Sequence, residues 1–294
     1  MFLKIQQVRP IYLPMLSHSK LLLFAGWFTQ VLATGTQFLS IPASAYDLII
    51  FHSPWRNPAT LNQVNRAPEL GFAYGHWLAG TQTANVKWRG QIRQASGGLD
   101  IRYVGMDDIE LRPNKPTSQP FGYYAAYGLS FRSMIGWERG AHQFGVGIQF
   151  VNMQIYQESA SGIALDFGWG WSFRHNLKFT LSALNMGKMN VLRTSKPQLP
   201  QRIISTIIFE QPTYSAFLGM ESNNLVQNPI LYVGGQGHYN NLFMGGTFMH
   251  TDGMKSISSG VGVQFGIYTV AYGIQWGDQH LGMPQMIDIS IRLP

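Results

Sequence analysis

The chain has 294 residues, no cysteine, and 12% charged residues, about half the roughly 25% usual in soluble domains. Aromatics reach 13%, there are 32 glycines, and mean hydropathy is -0.03. No disulfide framework or cysteine-ligated metal site is possible, the chain is too polar for a helical membrane protein, and the formal charge of +7 is scattered without any Lys/Arg run, which speaks against nucleic acid as a partner. A transmembrane β-barrel fits between these classes, because each strand shows one side to lipid and the other to water.

The first 33 residues hold Lys4, Arg9 and Lys20 and no acid. Lys20 opens KLLLFAGWFTQVLA, whose apolar core of about 13 residues is too short to span a bilayer as a helix and ends in the small-x-small pattern Val31-Leu32-Ala33. We read 1–33 as a secretory signal peptide cleaved after Ala33, with Met15 as a second possible start and an uncleaved N-terminal anchor as the alternative. Together with the strand pattern that follows, that reading implies export to the bacterial outer membrane. Residues 34–67 lack alternation and carry Pro and Asn-Pro punctuation. They are expected to form a plug folded into the lumen, or else a periplasmic tail.

From 68 to 294 the pattern is period two, in segments of 8 to 14 residues broken by Gly, Asn, Pro or Ser clusters. The clearest is SGIALDFGWGWSFRHN, residues 161–176: Ile163, Leu165, Phe167, Trp169, Trp171 and Phe173 alternate with Ala164, Asp166, Gly168, Gly170, Ser172 and Arg174. Two tryptophans on one strand face are bulky for a protein interior but suit acyl chains and headgroups. The last segment, MIDISIRLP, alternates to its end, with Ile287, Ile289, Ile291 and Leu293 outward and Asp288, Ser290 and Arg292 inward. Counting gives 13 to 15 strands, and the even-number preference selects 14. The fold class is therefore all-β, a transmembrane antiparallel barrel, closed because no strand edge can lie open in hydrocarbon. Asp166, Arg174, Asp288 and Arg292, with Lys178, are the expected luminal polar residues. Glycines within strands relieve crowding on the inward side.

Chemistry is sparse. The histidines lack metal-helix spacing, HExxH and G-x-S-x-G are absent, and the glycine-rich stretches lack the Lys-Ser/Thr of a phosphate loop. No catalytic, cofactor-binding or metal residue is expected. Residues 105–120, GMDDIELRPNKPTSQP, read as the most polar loop; Asp107, Asp108 and Glu110 are calcium-compatible, but a solvated loop is the plainer reading.

Several stretches resemble a known family. FLSIPASA (38–45), NPATL (57–61), LGFAYGHWLAGTQTANVKW (70–88), QIYQESASGIALDFGWGWSF (154–173), LNMGKM (184–189) and LGMPQMIDISIRL (281–293) are similar to the PorV/PorQ family of the type IX secretion system, PorQ more than PorV. The resemblance spans most of the chain beyond the leader, although Tyr46 to Ile50 depart from the family's small-residue turn. It implies a FadL-like barrel without enzymatic turnover. Such a barrel binds secreted cargo, or it anchors a cell-surface attachment complex. Its partners would be outer-membrane lipid and other type IX components. Asn57, Pro58 and Ala59 match the family's NPA motif and are expected to pin the plug to the barrel wall, or simply to form a turn. A FadL-like transporter of hydrophobic small molecules is the alternative function, and a general porin is disfavoured by the expected plug and short loops.

Overall fold

The computed structural model describes residues 35–63, 67–112, 118–278 and 282–294. The proposed signal peptide lies outside these residues. Fourteen antiparallel strands follow in chain order: β1 (Glu69–His76), β2 (Gln82–Ile92), β3 (Ala95–Leu111), β4 (Gly122–Arg139), β5 (His142–Ile155), β6 (Glu158–Arg174), β7 (Leu177–Met189), β8 (Arg202–Glu210), β9 (Tyr214–Asn223), β10 (Ile230–Tyr239), β11 (Leu242–Thr251), β12 (Met254–Phe265), β13 (Tyr268–Gly277) and β14 (Gln285–Arg292). Each pairs with its sequence neighbours, and β1 pairs with β14 from Glu69↔Arg292 to His76↔Gln285, closing the barrel.

The two ends differ. At one, most connections are two-residue turns, at 93–94, 140–141, 175–176, 240–241 and 266–267. Arg93, Gly140, Asn240 and Gly266 adopt left-handed φ there, the geometry that matches the strands' own twist. At the other end the connections include the long segments 112–121 and 190–201. Two-residue turns also occur at that end, at 156–157 and 252–253, but the long connections are confined to it, the pattern of outer-membrane barrels. The polar stretch expected as a loop begins instead as strand. Residues 105–111 continue β3, with a bulge between Met106 and Ile109 and left-handed φ at Asp108. Neighbouring strands reach only Gly105 and Ala126, so this part of the β3–β4 hairpin stands clear of the wall. Apolar alternation is not required there, because lipid is not its solvent.

Along the wall the alternation governs direction. Phe150, Ile163, Leu165 and Phe167 are exposed on the outside, and Ile163 keeps 57% of its surface free. An aromatic belt rings the short-turn end: Trp137 stacks on Phe144, and His142 stacks on both Trp169 and Trp171. Tyr74, Tyr103, Tyr127 and Trp276 lie towards the other end. Two belts flanking an aliphatic middle are the signature of a lipid-embedded surface.

Residues 35–63 lie against the inner wall. They comprise 3-10 segments at Gly35–Ser40 and Pro58–Gln63 and a short helix, α1 (Ala45–Ile49). The sequence Ser44-x-x-Asp47 starts α1: the Asp47 carboxylate accepts from Ser44 Oγ at 3.0 Å and from the Ala43 amide at 3.1 Å, a variant of the capping box. Three apolar anchors follow one another around the wall. Phe38 and Leu39 pack with Val104, Val151 and Met153. Leu48 and Ile49 pack with Ala271 and Met286. Phe51 packs with Ile204, Ile208, Phe217 and Tyr232, stacking on Phe217 at 4.4 Å between centroids. Each buried Leu, Ile or Phe side chain contributes about 1.5–3 kcal/mol, so the segment is held along its whole length.

Candidate functional site: the filled lumen

Asn57, Pro58 and Ala59 sit at the contact between this segment and the wall. Asn57 caps the 3-10 segment: its Oδ1 accepts from the Ala59 amide at 2.9 Å, and Pro58 takes the first position, where no amide is needed. Its Nδ2 donates to the Trp169 and Leu181 carbonyls, at 3.3 and 3.4 Å, which belong to residues directly opposite each other on β6 and β7. Asn62 repeats the device one turn on. Its Nδ2 donates to the carbonyls of Trp137 and Phe144, an opposed pair on β4 and β5. Gly145 and Gly168 make the approach possible: a Cβ at either would collide with Pro58, Ala59 or Asn57.

The wall also reaches inward. Arg102 donates to the Ile41 carbonyl at 2.5 Å and Pro42 at 3.3 Å, and Arg132 Nη1 donates to Pro54 at 3.1 Å. Ser182 and Ser258 hydroxyls donate to the Arg56 and Leu48 carbonyls. The carbonyls of a segment with little regular structure are thereby satisfied by side chains from the sheet, as buried backbone requires.

Charges inside are mostly paired. Arg132 Nε lies 2.6 Å from Asp166, whose other oxygen accepts the Asn185 amide at 2.7 Å. Lys87 Nζ lies 2.6 Å from Asp288. These pairs each skip a strand: Lys87 is on β2 and Asp288 on β14, with β1 between, and Lys87 passes over Gly71, where a Cβ would collide with its aliphatic chain. Arg202 and Glu221 form a two-pronged pair at 2.7 and 2.8 Å, joined by the Tyr232 hydroxyl at 2.9 Å. The Trp55 ring has Arg56 and Arg202 guanidinium carbons each 4.7 Å from its centroid. Half-buried His52 touches Phe51 and Phe217. Burial, reinforced by Lys178 and Arg56, pushes its imidazole down to about 3, so the ring is neutral at ordinary pH.

Of the residues expected in the lumen, Asp166, Asp288 and Lys178 are buried there. Arg174 is not: it is exposed at the end of β6, beyond an irregularity between Ser172 and Arg174 that breaks the strict alternation. Arg292 is half-buried at the last pair of β14, opposite Glu69, and stays at the rim. The partners Lys87, Arg132, Arg202 and Glu221, and the anchors Trp55 and Asn62, were not singled out by the sequence. Among the described residues no cluster of His, Asp and Glu has metal-holding geometry, and Glu110 pairs with Arg112. Between the segment and the wall remains a cavity of about 30 Å³, lined by Trp55, Asn85, Asp100, Arg102, Arg132 and Arg202 among others.

No family model matches the chain, and no curated protein matches it. Solved structures do. The crystal structure of the Pseudomonas putida toluene transporter TodX aligns with TM-score 0.58 and 9% identity, covering 80% of this chain and 91% of that one. A deltaS2 mutant of the TodX monoaromatic hydrocarbon channel aligns with TM-score 0.56 and 8% identity over 81% and 93%. At such identity the likeness is one of fold. The chain is a closed fourteen-stranded antiparallel barrel of outer-membrane type, with a FadL-like architecture.

Proposed function

We propose that this chain is a non-enzymatic outer-membrane barrel that serves as a rigid binding scaffold in a type IX secretion or cell-surface attachment complex, its lumen stopped by residues 35–63. The short-turn end faces the periplasm and the long-loop end faces outward, where the free β3–β4 hairpin meets partner or cargo proteins. One observation carries the reading: the segment is bonded to the wall around its path, and a cavity of about 30 Å³ between them has a charged lining. A hydrocarbon conduit needs a continuous apolar pocket; a scaffold does not. The sequence resemblance to PorV/PorQ supplies the pathway.

A second reading is transport of hydrophobic small molecules. The solved structures favour it, since the aligned barrels are a toluene transporter and a monoaromatic hydrocarbon channel. On that reading the segment must shift to open a path. Co-purification from native outer membranes with mass spectrometry separates the two. Stoichiometric recovery of secretion-apparatus proteins supports the scaffold. Isolation of the barrel alone with bound lipid or hydrocarbon, together with toluene uptake into proteoliposomes, overturns it in favour of transport.

A further inference from the structure

We propose that the luminal cavity is a binding site for one small monovalent anion of halide size, held by Arg102 of β3 and Asn85 of β2. The site is independent of which functional reading holds. Asn85 and Arg102 are directly opposed residues of adjacent strands, both pointing inward, both buried, and both lining the cavity. Asn85 is 3% exposed, and neither its Oδ1 nor its Nδ2 has a partner; Arg102 is 4% exposed, and its Nε has none. Groups of this kind inside a protein nearly always find hydrogen bonds, and the exceptions call for an occupant.

Charge indicates what the occupant is. Three guanidinium groups and one carboxylate line the cavity. Arg132 and Arg202 are taken by Asp166 and Glu221, and Asp100 is taken by Arg89 at 3.2 Å. Arg102 has no carboxylate within ion-pair distance among the described residues; it donates only to the neutral Ile41 and Pro42 carbonyls. The buried side chains of the described residues comprise six cations (Arg56, Lys87, Arg102, Arg132, Lys178, Arg202) and five carboxylates (Asp47, Asp100, Asp166, Glu221, Asp288). A buried charge without compensation is strongly unfavourable. Water satisfies an amide but leaves the positive charge in excess, whereas a monovalent anion accepts from the unpartnered Asn85 Nδ2 and Arg102 Nε and offsets that charge. The cavity of about 30 Å³ exceeds the roughly 10–15 Å³ that one water requires, which leaves room for a halide.

The test uses the full barrel in detergent. Crystals soaked in sodium bromide and measured at the bromine edge should show one anomalous peak in the cavity, within hydrogen-bonding distance of the Arg102 guanidinium and the Asn85 amide. Water density there without an anomalous peak, or bromide only on the surface, overturns the proposal. In solution, the unfolding midpoint should be higher in chloride than in gluconate at equal ionic strength, by about 3 °C at a tenfold excess over the dissociation constant. Asn85→Asp places a carboxylate beside Arg102 and should abolish this difference while keeping the midpoint. Equal midpoints in both salts, or an undiminished difference in Asn85→Asp, refute the site. Should that variant fail to fold, the bromide and salt measurements on the unaltered chain decide.

Discussion

Removing one member of the Lys87–Asp288 pair should cost far more than removing both. The two side chains meet at 2.6 Å with 9% and 4% of their surfaces exposed, so each depends on the other for compensation. Asp288→Leu leaves an ammonium buried over Gly71. Lys87→Met leaves a carboxylate one of whose oxygens, Oδ1, already lacks a hydrogen bond. Breaking a buried pair from one side costs about 3–5 kcal/mol, whereas replacing both partners by apolar groups of similar volume is often close to neutral. Lys87→Met combined with Asp288→Leu should therefore lie within about 1 kcal/mol of the parent, with a coupling of several kcal/mol in the double-mutant cycle. Urea unfolding of the detergent-solubilised barrel, followed by tryptophan fluorescence and by heat-modifiable gel mobility, reads this directly. Single losses that simply add in the double variant would show that the pair is not a coupled unit and that the closure described here is held by the strand ladder alone.

Three other outcomes are expected. Asn57→Ala should destabilise the docked segment by about 0.5–2 kcal/mol through loss of the cap alone, and Gly168→Ala should displace it by collision; in both, residues 35–63 become protease-sensitive while the barrel keeps its gel mobility. Survival of an intact segment in Gly168→Ala would contradict the close approach seen between Asn57 and β6. Leu165→Arg, at the middle of the outer face of β6, should cost about 2–4 kcal/mol in lipid, whereas Leu165→Phe should be tolerated; equal tolerance of both, measured by folding yield into vesicles, would mean that face is not in lipid. The grip on the segment should weaken in acid. His52 titrates near 6.5 when released and about 3 when docked, so the released form binds the proton first. Stability is complete above pH 6.5 and falls as pH drops towards about 3, by at most about 1.4 kcal/mol per pH unit and by less for a ring partly open to solvent. His52→Asn should flatten that slope in a protease-protection titration, and an unchanged slope would assign the acid sensitivity to other groups.

The strands were legible because a wall between lipid and a packed lumen imposes period two with little noise, as in 161–173 and 286–293. Asp166 and Asp288 were readable as luminal because a carboxylate flanked by outward isoleucine, leucine or phenylalanine has only one side to go. Their partners were not, since Arg132 and Lys87 reach them across an intervening strand, and that adjacency depends on the strand stagger, which no local pattern encodes. Arg174 was misplaced for a related reason: period two carries no mark of the irregularity at 172–174. The upper part of β3 was missed because Asp107, Asp108 and Glu110 lie outside lipid, where hydropathy places no demand on a strand. Asn57 stood out through the proline that follows it; Asn62, which does the same work, has no such flag.

A sheet that wraps on itself faces an error that greasiness cannot detect. If β14 docks on β1 two places out of step, every side chain still points to its proper side, and only a shift by one reverses them. The bond from β2 over Gly71 to β14 tells these arrangements apart, because a two-place slip moves the carboxylate about 7 Å along the seam, away from where the ammonium now meets it. The clasp thus acts as a proofreader of the final joint, rewarding one alignment of the first and last strands among several that lipid would accept.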